Sequence, residues 1–192
     1  MLEWLTQFEK AAEEARRQRK PILLQFHRDR CSGCRKLYAW TYQDPDVQRE
    51  LSDWFVPLRL DILQAREVRS RLAAFWTPSF YVLDHRDHVL YAFPGFLGPE
   101  DLRVLLRLGR AAWLIPRGKY REAASVLEDG LEKFPDNPRA ATLALWRGMA
   151  RYLLTWDNKT FRADMTEILR RYPDSPEARM WPWMDEPELD EP

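Results

Sequence analysis

Residues 29–38 read DRCSGCRKLY and contain the chain's only two cysteines, Cys31 and Cys34, with Ser32 and Gly33 between them. Two thiols at that spacing can cycle between dithiol and disulfide, supply half of a tetrahedral zinc site, or pack as small buried side chains. The redox reading has a geometric basis. If a helix starts at about Ser32, both sulfurs fall in its first turn, where backbone N–H groups have no helical partner. Cys31 is then expected to be exposed and to attack a substrate disulfide, with Cys34 held behind it to resolve the mixed disulfide. Arg28, Arg30, Arg35 and Lys36 crowd the pair, against the single acid Asp29. With the helix terminus these cations favour a Cys31 thiolate, Arg30 and Arg35 being the expected stabilisers. The zinc reading has His27, His85 and His88 as nitrogen donors, but the last two fall in an expected turn, where solvated polar residues are the ordinary finding. An iron–sulfur cluster needs four thiolates, more than this chain supplies. No metal is expected, and no cofactor beyond a redox-active Cys31–Cys34 disulfide.

The elements that must position this pair follow from the hydrophobic pattern. Leu2, Leu5, Phe8, Ala12 and Ala15 recur at helical spacing, with Pro21 as the expected stop. ILLQFH, residues 22–27, is a short apolar run and reads as a buried strand. A short helix from about Ser32 carries Leu37 and Trp40, and in DPDVQRELSDW Asp44 is the expected N-cap with Pro45 at the first helical position. FVPLRLDI reads as a strand in which Pro57 is either out of place or marks a bulge. LQAREVRSRLAAF is an expected helix with Val68, Leu72 and Phe75 on one face. SFYVLDHRDHVLYAF gives two strands about a tight Asp84 to Asp87 turn, and Pro99 opens a helix through GPEDLRVLLRLGRAAWLI. After a leading helix, the order β, α, β, α, β, β, α predicts an α/β domain with a parallel pair at its start and a hairpin at its end.

That order, a C-x-x-C at a strand-to-helix turn and a Thr77-Pro78 pair opening SFYVL together resemble the thioredoxin family over residues 1–112. CSGCRKLYAWTYQDPDV is most similar to thioredoxin-like reductases such as the C-terminal domain of the transmembrane disulfide reductase, with Lys36, Thr41, Tyr42, Asp44, Pro45 and Val47 filling or approximating the pattern. The resemblance implies a thioredoxin fold, dithiol–disulfide exchange on protein disulfides, and an upstream reductase as partner. It further implies that Pro78 is a cis-proline beside the cysteines, and that Thr77, with Trp76 next to it, binds an extended substrate segment through its backbone. Several positions depart from the family. Thioredoxins carry a buried aspartate six positions before the nucleophile, which accepts the resolving thiol's proton, and this chain has Gln25 there. Arg30 stands in place of the usual tryptophan, Ser32-Gly33 in place of the usual Gly-Pro, and Arg59 where the family has a lysine. A narrower exchange role than general thioredoxin-like reduction is expected.

From about residue 113 the composition changes and a repeat appears. LEKFPDNPRA recurs 38 residues on as LRRYPDSPEA, pairing Phe134 with Tyr172, Pro135 with Pro173, Asp136 with Asp174 and Pro138 with Pro176. Two helical hairpins fit it. GKYREAASVLEDGLEKFPDNP looks like a tetratricopeptide repeat, with Gly118 and Tyr120 opening a helix, Ala123 at a close helix approach and Pro138 starting the next unit. The extra length over the usual period of about 34 is expected near TWDNK. The expected organisation is therefore a thioredoxin-like domain at 1–112, tetratricopeptide-like helical repeats at 113–180, and an acidic tail at 181–192 bearing Trp181 and Trp183. Two repeats are fewer than the roughly three that a free-standing solenoid needs, so the helical part is expected to pack on the first domain or on a partner. The tail either covers apolar surface or docks a partner.

Composition bounds the function classes. The chain has 192 residues, 45% hydrophobic, with nine tryptophans, enough for one sizeable core and a smaller second one. Thirty basic and thirty acidic residues cancel, so no global field draws it to nucleic acid, and none is expected as a partner. The first twenty residues lack the basic-then-apolar layout of a secretory signal, and no apolar run approaches the roughly 20 residues of a membrane span. No membrane insertion is expected and the location reads as cytoplasmic, although a signal already removed would leave no trace. Two functions fit: a cytoplasmic thiol-disulfide oxidoreductase whose helical repeats choose the substrate, or a thioredoxin-fold and repeat adaptor or holdase with incidental cysteines.

Overall fold

A computed structural model describes residues 3–181, so Trp181 of the expected tail is described and residues 182–192, Trp183 among them, lie outside the described residues. The chain divides into two compact units, Met1–Trp113 and Leu114–Pro192.

In the first unit, helix α1 (Phe8–Gln18) leads into β1 (Ile22–His27), α2 (Ser32–Ala39), α3 (Pro45–Trp54), β2 (Val56–Asp61), α4 (Arg66–Arg71), β3 (Ser79–Leu83), β4 (Val89–Pro94) and α5 (Pro99–Leu114). The four strands form one sheet in the order β2-β1-β3-β4. The parallel pair is β1 with β2, in register Leu24 to Leu58, and the closing hairpin is β3 with β4. The two inner strands are almost wholly buried, whereas β2 alternates buried and half-buried residues, as a strand with one face on the core must. One face packs Leu24, Phe26, Leu58 and Tyr81 under Ala11 and Ala15 of α1 and Leu72. The other packs Leu23, Phe80 and Val82 against Leu37, Val47, Leu51, Leu102 and Leu105, carried by α2, α3 and α5.

Local signals account for most element ends. Asp44 Oδ1 accepts hydrogen bonds from Asp46 N–H and Val47 N–H at 2.9 Å each, the N-cap that Asp44-Pro45 announced. In the β3–β4 turn Asp84 Oδ1 takes the N–H groups of Arg86 and His88, and Asp87 turns the chain with φ 62°.

Three expectations change. Leu5 is not helical: it bridges Leu58 in parallel, its N–H donating to Pro57 O and its O accepting from Arg59 N–H. The helix begins only at Phe8 and ends at Arg19, which is left-handed with φ 54°, before Pro21 is reached. Pro57 forms no bulge. Residues 57 and 59 turn their backbone polar groups to the outer edge of β2, where a proline's missing donor breaks no β1–β2 bond. Finally, α4 stops at Arg71, Ala73 is left-handed, and Phe75 is 79% exposed rather than packed on a helical face with Val68 and Leu72.

The second unit is helical: α6 (Tyr120–Lys133), α7 (Ala140–Thr155) and α8 (Asn158–Arg171), then a 3₁₀ turn at Glu177–Met180. α7 packs on both α6 and α8. The sequence repeat is a repeat of corners. Phe134 and Tyr172 close α6 and α8 at φ −134°, ψ 53° and φ −130°, ψ 53°, and each accepts an N–H three residues on, from Asn137 and Ser175. The two corners lead into different elements, the first into α7 and the second into the short turn, so the described residues do not contain two equal hairpins. Ala123 is fully buried and Gly118 is left-handed ahead of Tyr120, but the extra length expected near TWDNK is not a long connection: Trp156 and Asp157 alone join α7 to α8, whereas residues 134–139 join α6 to α7. Trp181 meets the Phe161 ring edge-on at 5.2 Å.

Candidate functional site

β1 delivers the chain to a sharp turn in which Arg30 adopts φ 59°, an uncommon conformation for a residue other than glycine. Cys31 comes next as the N-cap of α2, and its Sγ accepts a hydrogen bond from Cys34 N–H at 3.2 Å. The sulfur therefore sits against the first, otherwise unpaired, N–H groups of the helix, as the spacing predicted. Cys31 and Cys34 are joined by a disulfide, with Cα atoms 5.3 Å apart. Their exposure differs less than expected: Cys31 is 6% exposed and Cys34 1%. What separates them is access, because Cys31 lines an open groove of about 690 Å³ and Cys34 does not.

The loop before β3 supplies the opposite wall. Thr77-Pro78 is a cis peptide, and a Cβ on Gly33 would lie 2.8 Å from Pro78 Cδ, so only glycine lets the proline seat on the turn between the cysteines. Thr77 and Trp76 line the groove, Trp76 being 57% exposed, and among the described residues no hydrogen bond uses the Thr77 backbone. Arg30 lines the groove as well. Arg35 lies on the exposed face of α2 and is not among the lining residues.

Gln25, where the family carries its acid, is fully buried on β1. Its Oε1 accepts from Tyr42 Oη at 3.0 Å and from Arg59 Nε at 3.2 Å, while its Nε2 and the nearby Tyr38 Oη have no partner among the described residues. The Arg59 guanidinium is enclosed by the rings of Trp4 (4.3 Å), Tyr38 (4.5 Å) and Tyr42 (5.6 Å). An amide thus holds the cation that a carboxylate would have paired. Burial pushes the Tyr42 phenol well above its ordinary value and Tyr38 up, and it pushes the His27 imidazole down.

The histidines are apart. His88 Nδ1 lies 3.0 Å from Asp84 Oδ2 in the β3–β4 turn, and His27 lies 6.5 Å from the Tyr38 ring. Among the described residues no group of three or more His, Cys, Asp or Glu side chains is arranged to hold a metal ion. None of their helices is long and apolar enough to cross a membrane. Sequence reasoning named Arg28 among the cations near the pair but missed Leu63 and Arg69 of the groove and placed Phe75 elsewhere. One signal was available: a glycine between two cysteines marks a close backbone approach.

Comparisons with known proteins bear on the fold of the first unit. Residues 3–86 match the sequence profile of a family described as thioredoxin-like. A thioredoxin from Thermus thermophilus superposes with a TM-score of 0.50 at 22% identity, covering 55% of this chain and 85% of that one. The first unit has a thioredoxin-like fold. DsbH oxidoreductase superposes on this thioredoxin-like domain with a TM-score of 0.51 at 16% identity, covering 57% of this chain and 84% of that one. The oxidised C-terminal domain of DsbD from Neisseria meningitidis aligns at 0.44 and 18% identity over 52% of this chain and 93% of its own. No curated protein matches the chain.

Proposed function

We propose that this chain is a thiol-disulfide oxidoreductase acting on protein disulfides through Cys31 and Cys34. The observation that carries the reading is the Cys31 sulfur at the N-cap of α2, open to a groove beside cis-Pro78, with Cys34 closed off behind it. In the reduced protein the Cys34 N–H, the helix terminus and Arg30 favour the Cys31 thiolate. That thiolate attacks one sulfur of a substrate disulfide, and the other sulfur leaves as a thiolate that takes up a proton. Cys34 then loses its proton and attacks the Cys31 sulfur, expelling the second substrate thiolate. Two electrons and two protons pass to the substrate, and the Cys31–Cys34 disulfide is left for an upstream dithiol reductase to restore. The chain carries this out without a further cofactor and without metal. Trp76 and the Thr77 backbone border an extended substrate segment beside Pro78.

The test is trapping. Cys34→Ser is expected to accumulate mixed disulfides with substrate proteins and Cys31→Ser to trap nothing, and dithiothreitol-driven insulin reduction is expected to disappear in Cys31→Ser. Equal trapping by both variants, or insulin reduction unchanged in Cys31→Ser, would favour the adaptor or holdase reading, which draws its support from Gln25 standing where a carboxylate would take the Cys34 proton.

A further inference from the structure

The groove in front of Cys31 is charged in one sense only. Arg28 and Arg30 enter from the β1–α2 turn and Arg69 from α4, and no aspartate or glutamate is among the residues that line it. None of the three guanidinium groups has a hydrogen-bond or ion-pair partner among the described residues. The nearest acids in sequence do not line the groove: Glu67 pairs with Arg71 at 3.3 Å, Asp61 Oδ1 accepts from the N–H groups of Leu63 and Gln64, and Asp29 is exposed between Arg28 and Arg30. Beside the cations stand three large apolar side chains left to solvent, Leu63 at 50%, Phe75 at 79% and Trp76 at 57% exposed. Arg103 and Arg107 of the same unit, by contrast, are paired on Glu50. An unpaired cationic and aromatic rim around a reactive sulfur raises the local concentration of anionic substrates and discriminates against cationic ones.

We infer that the groove selects disulfides carried by acidic polypeptide segments with an aromatic or large aliphatic residue close to the cysteine. The inference rests on the thiol–disulfide reading above and adds to it the substrate class. Carboxylates meet Arg28, Arg30 and Arg69, and the apolar neighbour lies on Phe75 and Trp76. The unused Thr77 backbone pairs with the extended segment, which favours a polypeptide over a small carboxylate-bearing disulfide such as oxidised glutathione.

The experiment uses reduced full-length protein in single-turnover reactions, so that no recycling partner enters. Three peptides share one phenylalanine next to one cysteine held in a mixed disulfide with 2-mercaptoethanol, and differ only in flanking Glu, Gln or Lys residues. The Glu peptide is expected to react about tenfold faster than the Gln peptide and the Lys peptide slowest. That preference is expected to shrink toward one as salt rises from about 50 to about 500 mM. In Arg28→Gln/Arg69→Gln the Glu-to-Gln ratio, taken on the same preparation, is expected to fall to about two or less. A ratio of one or below in wild type, a ratio insensitive to salt, or one unchanged in the double variant would overturn the inference. So would oxidised glutathione reacting faster than the Glu peptide. Absence of reaction with all three peptides, at the level of Cys31→Ser, would instead remove the oxidoreductase reading itself.

Discussion

Each unit buries one carboxylate among arginines, and the two are treated differently. Glu50 of α3, 4% exposed, accepts through Oε1 from Arg103 Nη2 (2.8 Å) and Arg107 Nη2 (2.9 Å), and through Oε2 from Arg107 Nη1 (2.8 Å). Asp164 of α8, 5% exposed, uses only Oδ1, toward Arg151 Nη1 at 2.9 Å and Arg147 Nη2 at 3.4 Å. Its Oδ2 and Arg147 Nε have no partner among the described residues. Burial would raise both carboxyls. At Glu50 the hydrogen bonds and charges of Arg107 and Arg103 outweigh it and hold the group below its usual 4.5, whereas at Asp164 burial wins over Arg151 and Arg147, aided by Glu167 and Glu128, and the group lies above its usual 3.8. The outcomes are opposite because both Glu50 oxygens are hydrogen-bonded to arginine, whereas Asp164 has one oxygen without a partner among the described residues and two acidic neighbours.

The sharpest way to break this contrast is Glu50→Ala, which takes the shared carboxylate from Arg103 and from fully buried Arg107, Arg103 keeping Asp46 at 3.0 Å. A loss of about 3–5 kcal/mol is expected from urea unfolding, and Glu50→Leu combined with Arg103→Leu and Arg107→Met is expected to recover most of it. A loss near zero for Glu50→Ala would remove the cluster from the account of stability. Next in size is Gln25→Leu, which takes the acceptor from buried Tyr42 and from Arg59 and is expected to cost about 1–3 kcal/mol in the same assay. Asp164→Asn is expected to cost no more than about 1 kcal/mol, because Arg147 keeps Glu128 at 2.9 Å and Glu167 at 3.1 Å. If it costs as much as Glu50→Ala, the contrast fails.

The smallest effects are in pH dependence, and their signs differ. Glu50 has its folded pKa depressed, so its contribution is fully present above about 4.5 and is lost as pH falls through the lower folded value. Asp164 has its folded pKa raised, so its penalty is absent below about 3.8 and is imposed as pH rises through the folded value. Glu167, held low by Arg171 and Arg147 against burial, shares the sign of Glu50 and partly masks Asp164 in the whole protein. The measurement is therefore a difference: relative to wild type, Glu50→Gln is expected to flatten the loss of stability toward acid and Asp164→Asn to steepen it. Equal signs would refute the assignment.

Legibility in the sequence tracked the range of the interaction. Asp44-Pro45, the Asp84 turn and the start of α2 at Ser32 are local signals, and each sits where the residues said it would. Leu5 misled because Leu2, Leu5 and Phe8 satisfy helical spacing, while the bridge that claims Leu5 comes from β2 more than fifty residues away. Phe75 misled because left-handed Ala73 breaks a pattern that side-chain type alone continues. The Glu50 cluster joins residues 53 and 57 positions apart, and Arg28 and Arg69 meet only across the groove, so neither had a signature in any short window. The cysteines, Arg30 and the Trp76–Thr77 wall were named from the residues and the resemblance they carry; Leu63, Arg69 and Phe75 around Cys31 required the fold.

The seating of Pro78 on Gly33 has a consequence for how the chain can vary. Of the two residues between the cysteines, position 33 has no room for a Cβ against the proline ring, while Ser32 is exposed at the groove. A library randomised at both positions and selected for function should return glycine at 33 and diversity at 32. The pair's chemistry is thus open to adjustment at a single residue, and divergent copies of this domain would record that history in one column.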